Sequence, residues 1–171
     1  MVPRPSLLLR YRLVLGLFII GLILSGVTAF PLLHELQLLS NWLGIAPDAK
    51  PETLSGPAHW IATVRDGLEA TYQRFPWMAY GTDWLAFGHL MIALFFIGPW
   101  RDPVGNAWVL RVGLAACALV IPLAMICGAI RGIPFYWRLL DCSFGILGAI
   151  PLIVCLKFVR QMKMEAVRSG G

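Results

Sequence analysis

Charged side chains are scarce in this sequence. Only 13% of its 171 residues are Asp, Glu, Lys or Arg, whereas 58% are hydrophobic. Too few polar side chains remain to cover the surface of a soluble globule, so the composition predicts an integral membrane protein.

Catalytic and metal-binding motifs are also missing. The chain contains no G-x-S-x-G, H-E-x-x-H or Walker-type glycine sequence, which leaves hydrolase, metalloprotease and nucleotidase activities without a motif. Enzymatic activity is therefore the less favoured interpretation.

Motifs for metal binding are missing too: there is no C-x-x-C, and no histidine lies at metal-ligand spacing from a cysteine. We predict no metal site and interpret the cysteines as small, reduced packing residues: Cys117, Cys127, Cys142 and Cys155.

Four apolar runs recur along the chain, each near the length needed to cross about 30 Å of hydrocarbon. In lipid each backbone N–H and C=O must be satisfied within its own segment, so the runs predict helices. We expect an all-α integral membrane fold, a bundle of four transmembrane helices in a single domain over 1–171. The predicted spans are 12–33, 80–100, 109–130 and 138–157, with an outer loop over 34–79.

The basic residues are distributed unevenly around these spans. Nine of the fourteen lysines and arginines flank the two ends and the second connection: Arg4, Arg10, Arg12, Arg101, Arg111, Lys157, Arg160, Lys163 and Arg168. The other side is net acidic. The positive-inside rule therefore predicts that both termini are cytoplasmic and that the long loop is periplasmic. The net charge of +5 sits beside membrane spans, which favours anionic lipid headgroups over nucleic acid as partners.

The first apolar run allows a second interpretation. An arginine-rich start, an apolar stretch and Val27-Thr28-Ala29 resemble a cleaved signal peptide, which would leave three spans. The apolar run continues to Leu33, beyond a usual signal sequence, and this favours a retained first span.

The outer loop carries two stripes of apolar residues at helical spacing. They consist of Leu36, Leu39, Trp42 and Leu43, and of Trp60, Ile61, Val64, Leu68 and Tyr72. Arg65, Asp66 and Glu69 interrupt the second stripe. Both stripes predict short amphipathic helices lying on the membrane surface.

Small residues recur at helical intervals within three of the spans. They are Gly21, Ser25 and Thr28 in the first, Gly113, Cys117, Ala124 and Gly128 in the third, and Gly145 and Gly148 in the fourth. Small side chains let helices approach closely in a membrane, so these faces predict helix contacts.

Ionisable residues crowd toward the outer ends of the spans. The candidate polar cluster consists of His34, Glu35, Asp83, Arg131, Arg138 and Asp141. Charges near a span are costly, which makes the cluster a candidate functional site. Salt bridges with a structural role are favoured over catalysis. Arg131 could pair with Asp83 or Asp141, and Arg138 could pair with Asp141, which lies three residues away on the same helix face.

His89 lies inside the second span and is the other candidate. A neutral imidazole there could be an axial ligand of haem b. The favoured interpretation is a hydrogen bond across helices to Ser, Thr or a backbone carbonyl. A second haem ligand would have to be His34 or His59, and neither is inside a predicted span.

Three sequence blocks resemble a family of small bacterial four-span integral membrane proteins without an assigned activity. They are AYGTDWLAFGH, FIGPWRDPVGNAWV and IRGIPFYWRLLDCSFG, and the resemblance covers roughly the C-terminal two thirds. It implies the inner membrane of a bacterium and no functional residues.

Three functions compete at this point. The leading hypothesis is a non-catalytic accessory subunit or assembly partner of a membrane complex, bound to other membrane proteins or to copies of itself. One alternative is an electron-transfer protein that binds haem b or quinone at His89. The other is a small transporter or membrane enzyme that uses Asp83, Arg131 and Asp141, although four spans leave little room for alternating access without oligomerisation.

Overall fold

The computed structural model describes residues 5–168, and every regular element among them is a helix. The helices are α1 (Pro5–Ala29), α2 (Leu32–Trp42), α3 (Gly56–Arg74), α4 (Tyr80–Phe95), α5 (Ile97–Arg101), α6 (Ala107–Ile130) and α7 (Phe135–Arg168). Short 3-10 helices, Pro51–Thr53 and Pro76–Ala79, precede α3 and α4. The predicted all-α class is confirmed. Arg4, which entered the count of basic residues, lies outside the described residues.

Within the part of the chain that the structure describes, four helical segments are long and apolar enough to cross a membrane. They are Pro5–Ala29, Pro76–Arg101, Ala107–Ile130 and Phe135–Arg168. Each contains one of the predicted spans or most of it. The number of candidate spans and their order along the chain are therefore as predicted.

Prolines set two helix boundaries differently from the prediction. The first span was expected to reach residue 33, but α1 ends at Ala29 and α2 begins at Leu32, with Pro31 as its N-cap residue. The second span is also interrupted. Pro99 has no N–H to donate to the carbonyl of Phe95, where α4 ends, and α5 starts two residues later.

The last helix is longer than predicted. We expected a span ending near residue 157, whereas α7 runs for 34 residues to Arg168. Its buried residues Leu152, Cys155, Val159 and Met162 continue at helical spacing past that limit. The basic C-terminal segment is therefore part of the helix, because an apolar stripe continues through it.

The chain divides into two compact units, and each is described by itself. The first comprises the described residues up to Leu22 and those from Ile92 onward, and the second is Ile23–Met91. The boundaries fall within α1 and α4. The core of the first unit is formed by α1, α6, α7 and Phe96. Its buried residues are Tyr11, Leu15, Phe96, Ala107, Val109, Leu110, Leu152, Cys155, Val159 and Met162.

Glycines bring α6 and α7 into close contact in the first unit. A Cβ atom at Gly145 would overlap the carbonyl oxygen of Cys117, and one at Gly148 would lie 3.1 Å from the Cys117 sulfur. A Cβ at Gly113 would lie 2.9 Å from the Phe96 ring. The predicted contact faces of the third and fourth spans are confirmed at these positions.

The predicted small-residue face of the first span is wrong. A Cβ at Gly21 would meet no described atom within 4 Å, and Ser25 and Thr28 are exposed. The close contacts use two other glycines of α1. Gly16 faces Trp100, and Gly26 lies against the carbonyl of Ala86 in the second unit.

Glycines in the left-handed region end two of the helices. Gly44 follows α2 with φ +69°, and Gly132 follows α6 with φ +71°. In both turns the glycine N–H and the next N–H bond back to carbonyls of the last helical turn, as in a Schellman motif. The residue after Gly44, Ile45, is buried in the second unit. The turn therefore ends α2 and returns the chain toward α3.

Candidate functional site

The six residues of the predicted polar cluster belong to different units. Arg131, Arg138 and Asp141 lie at the α6–α7 turn of the first unit, whereas His34, Glu35 and Asp83 belong to the second. His34 is exposed on α2, and Glu35 and Asp83 are partly buried. Their assembly into one cluster stays a prediction.

Arg138 packs across the α6–α7 turn. Its Nη1 donates to the Met125 carbonyl of α6 at 3.4 Å, and its guanidinium lies 5.3 Å from the centre of the Phe135 ring. Gly128 leaves space for the Arg138 side chain, since a Cβ at position 128 would lie 2.7 Å from Cγ and Cδ of Arg138. Arg138 therefore links the end of α6 to the start of α7.

The ion pairs predicted at this turn do not form. Among the described residues no ion pair joins Asp141 to Arg138 or Arg131. The i,i+3 spacing on one helix allowed the Arg138–Asp141 pair, but the arginine reaches the neighbouring helix instead. Arg131 is exposed and ends α6 as its C-cap residue, and Asp141 is half-buried.

His89 bonds within its own helix rather than across helices. Its Nδ1 lies 2.9 Å from the carbonyl of Leu85, one turn earlier in α4. A carbonyl accepts only from N–H, so Nδ1 carries the proton and Nε2 of a neutral ring keeps its lone pair. No described residue hydrogen-bonds to Nε2. The preference for a cross-helix bond is wrong, and the ring retains one nitrogen able to accept a proton or bind a metal.

Gly26 of α1 packs directly beside this histidine. A Cβ at Gly26 would lie 3.1 Å from Cβ of His89 and 3.0 Å from the Ala86 carbonyl. The ring therefore stands at the edge of a close contact between α1 and α4. The other two histidines are placed differently. His34 is exposed on α2, and His59 of α3 has Nδ1 2.7 Å from the carbonyl of Pro51.

No metal-binding group was found in residues 5–168. No three His, Cys, Asp or Glu side chains converge there as ligands would. The four cysteines are free thiols. Two of them are buried at helix contacts, where Cys142 faces the Ile121 carbonyl and Cys155 the Tyr11 carbonyl, both at 4.0 Å.

A buried arginine organises the second unit, and the sequence interpretation missed its role. Arg65 of α3 is only 3% exposed. Its Nη1 and Nη2 donate to the carbonyls of Ala46 and Ala49 at 3.3 and 3.4 Å, and its Nε to Asp66 at 3.0 Å. The loop after α2 is therefore fixed to α3 by one guanidinium, which supplies three charge-assisted bonds.

The signal for this arginine was present in the spacing. Arg65 lies four residues after Ile61 and three before Leu68, so it shares the helix face of that apolar stripe. From the sequence alone, the charge is interpreted only as an interruption of the stripe. A charge in the centre of an apolar face instead indicates a buried group with partners.

A second buried polar contact holds the first unit together. The Tyr11 hydroxyl donates to the carbonyl of Pro99 at 2.9 Å, and the tyrosine is fully buried. Pro99 is itself buried in α5. The bond links α1 to α5, just after the break that separates α4 from α5.

An open surface groove lies beside the Arg65 loop. It is lined by Pro47, Asp48, Ala49, Lys50, Asp66, Glu69, Ala70 and Gln73. Three carboxylates and one ammonium group make its wall acidic overall.

Comparison with known proteins adds no assignment, since no family model, curated protein or solved structure matches the chain.

Proposed function

We propose that this chain is a multi-pass protein of the bacterial inner membrane that acts as a non-catalytic accessory subunit or assembly partner of a larger membrane complex. The observation that carries the proposal is how little of the spans the chain covers itself. Only 6% of the most apolar stretch of α6 is buried. Lipid or the helices of a partner must cover the remainder.

The exposed side of α6 has the form of a helix-packing face. Leu119, Leu123, Ile126 and Ile130 are exposed and recur at intervals of four, three and four residues. They lie on the side of the helix opposite Gly113, Cys117 and Gly128, which contact Phe96, α7 and Arg138. An apolar stripe at this spacing matches what one helix offers another in a bundle.

The buried and half-buried polar groups support a structural role. Tyr11, Arg65 and Arg138 each donate to main-chain carbonyls. Groups tied to the backbone in this way hold helices and loops in position and are not free to handle a substrate. This favours an assembly role over catalysis.

The distribution of charge supports the proposed orientation. The described cations beside the spans on the side of the termini are Arg10, Arg12, Arg101, Arg111, Lys157, Arg160, Lys163 and Arg168. By the positive-inside rule this side is cytoplasmic, where anionic lipid headgroups are the natural partners of the basic residues. The resemblance to small bacterial membrane proteins points to the inner membrane.

The test is recovery of the protein from native membranes in mild detergent, with a photo-crosslinking residue at Leu123. We expect a partner at fixed stoichiometry, and a crosslink to that partner or to a second copy of the chain. The matched control carries the crosslinker at Leu17, an exposed position on α1. A monodisperse, single-component protein with no crosslink from Leu123 would contradict the proposal.

The alternative function with a specific observation behind it is a haem b or quinone site at His89. The Nδ1–H bond to Leu85 fixes the ring and leaves Nε2 as an acceptor, which is the arrangement found in metal-binding histidines. Reduced-minus-oxidised visible spectra of protein from a haem-replete host test the haem form. His89→Ala should abolish an α-band, whereas His59→Ala should keep it. A colourless wild type would exclude bound haem.

A further inference from the structure

Helix α2 buries one face within the protein and leaves large apolar side chains exposed on the other side. Leu36 and Ser40 on one face are buried within the second unit. On the other side of the helix Leu38, Leu39 and Trp42 are exposed, and Trp42 is 90% exposed. The C-cap residue Leu43 is also exposed. A large ring with so little protein around it needs another apolar environment.

Helix α3 does not leave such a face. Its apolar residue Ile61 is buried, and Val64, Leu68 and Tyr72 are partly buried. None of the large apolar side chains of α3 is among the exposed ones. The two loop helices, which have similar stripes in the sequence, therefore have different surroundings.

The position of α2 in the chain identifies what covers its exposed face. α1 ends at Ala29 and α2 begins at Leu32, so α2 starts where an apolar span ends. The second unit also places exposed aromatic rings at the start of the next span: Trp77, Tyr80 and Trp84. Aromatic rings of this kind are enriched at the headgroup level of a bilayer.

Charge supports the same assignment. Glu35 is the one carboxylate among the eleven residues of α2, which contain no Lys or Arg. The carboxylates Asp48, Asp66 and Glu69 instead line the groove beside α3. A lipid surface accepts an apolar face with a tryptophan and disfavours a row of carboxylates.

We propose that α2 lies in the interfacial layer of the bilayer, with Leu38, Leu39, Trp42 and Leu43 inserted between lipid molecules, whereas α3 lies outside that layer. The inference rests on the proposed function insofar as the four apolar helices must span a membrane. It replaces the expectation that both loop helices lie on the membrane surface.

Hydroxyl-radical footprinting of the protein, one copy per nanodisc of phosphatidylcholine and phosphatidylglycerol, tests the proposal without a mutation. Trp42 should be oxidised several-fold more slowly than in the unfolded chain, despite its exposure in the folded protein. His59 and Met164 are exposed outside the apolar stretches and serve as water-accessible controls. Their oxidation should be little reduced.

Phe144 separates the two ways in which the proposal can fail. It is exposed within the apolar part of α7 and should be protected if that helix spans the disc. A protected Phe144 with a rapidly oxidised Trp42 would overturn the interfacial α2 alone. Rapid oxidation of Phe144 would overturn the membrane placement itself. Protection of Trp42 in native membranes but not in nanodiscs would mean that a protein covers it, which also overturns the lipid assignment.

Quenching of tryptophan fluorescence by brominated lipids provides a second readout. Trp42→Phe should remove part of the quenched emission, because it deletes a ring in contact with lipid. Trp60→Phe on α3 is the matched control and should leave the quenched component unchanged. Equal losses in both variants, or no loss in Trp42→Phe, would contradict the proposal, provided that both retain the thermal unfolding midpoint of the wild type.

Discussion

The α6–α7 contact of the first unit and the loop between α2 and α3 of the second unit are stabilised by different kinds of interaction. In the first, α6 and α7 approach closely at glycines, with the main chain of Gly145 directly against the Cys117 carbonyl. In the second, a buried arginine donates to loop carbonyls and so fixes the segment between α2 and α3. If the four apolar helices span a membrane as proposed, burial of apolar surface between them adds little, and close packing must supply the stability. The loop between α2 and α3, placed in water by the same proposal, can instead be organised by a charged group.

The largest expected effect comes from breaking the glycine contact. In Gly145→Leu the side chain would overlap the Cys117 carbonyl, so α6 and α7 must move apart. Overpacking of this kind typically costs about 1–3 kcal/mol and more where backbone blocks the way, so we expect a loss of about 3 kcal/mol or more. Thermal unfolding in detergent measures it. Gly21→Leu is the control, since that position is open, and equal destabilisation of both would argue against the contact.

The arginine contact should be the next most costly to remove. Arg65→Met keeps the aliphatic bulk but deletes three hydrogen bonds from a buried guanidinium. Two of the three bonds hold the loop, and both are long, at 3.3 and 3.4 Å. Bonds to charged groups are worth about 1.5–3 kcal/mol each at good geometry, so we expect a local loss of about 2 kcal/mol around residues 45–50. Amide hydrogen exchange of that segment reports it. Arg74→Met, at an exposed position on the same helix, should leave exchange there unchanged.

The smallest of the three effects concerns the neutral bond in the first unit. Tyr11→Phe removes the hydroxyl that donates to the Pro99 carbonyl but retains the ring. We expect a loss of about 1 kcal/mol in the free energy of unfolding. A drop in the midpoint of thermal unfolding measures it, with the exposed Tyr80→Phe as the control. No change in Tyr11→Phe would mean that water satisfies the carbonyl equally well.

Much of the fold was predictable because the apolar runs and stripes are long. The four candidate spans and the two loop helices follow from periodicity and length alone. The break at Pro31 and the end of α4 before Pro99 were also accessible, since proline cannot donate the helical hydrogen bond. The extension of α7 needed attention to Val159 and Met162, whose spacing continues the apolar stripe among basic residues.

The contact face of α1 and the pairing of charges were not predictable from spacing. Gly21 and Gly26 are both small residues of α1, and only the position of the neighbouring helix decides that Gly26 makes the contact. Arg138 similarly lies within reach of Asp141 on its own helix but bonds to Met125 on another. Sequence distance along one helix gives the available partners, whereas tertiary geometry selects among them.

The uninterrupted length of α7 also makes the protein accessible to imaging. At 34 residues the helix is about 51 Å long, roughly 20 Å more than the hydrocarbon layer is thick. Its last buried residues, Val159 and Met162, belong to the packed core of the first unit, so this end does not depend on its own helical propensity. A soluble domain joined in helical register after Arg168 would inherit the orientation of α7. At 18.9 kDa the chain is too small to align by itself in electron micrographs. The fused domain would serve as a rigid marker for aligning the particle images.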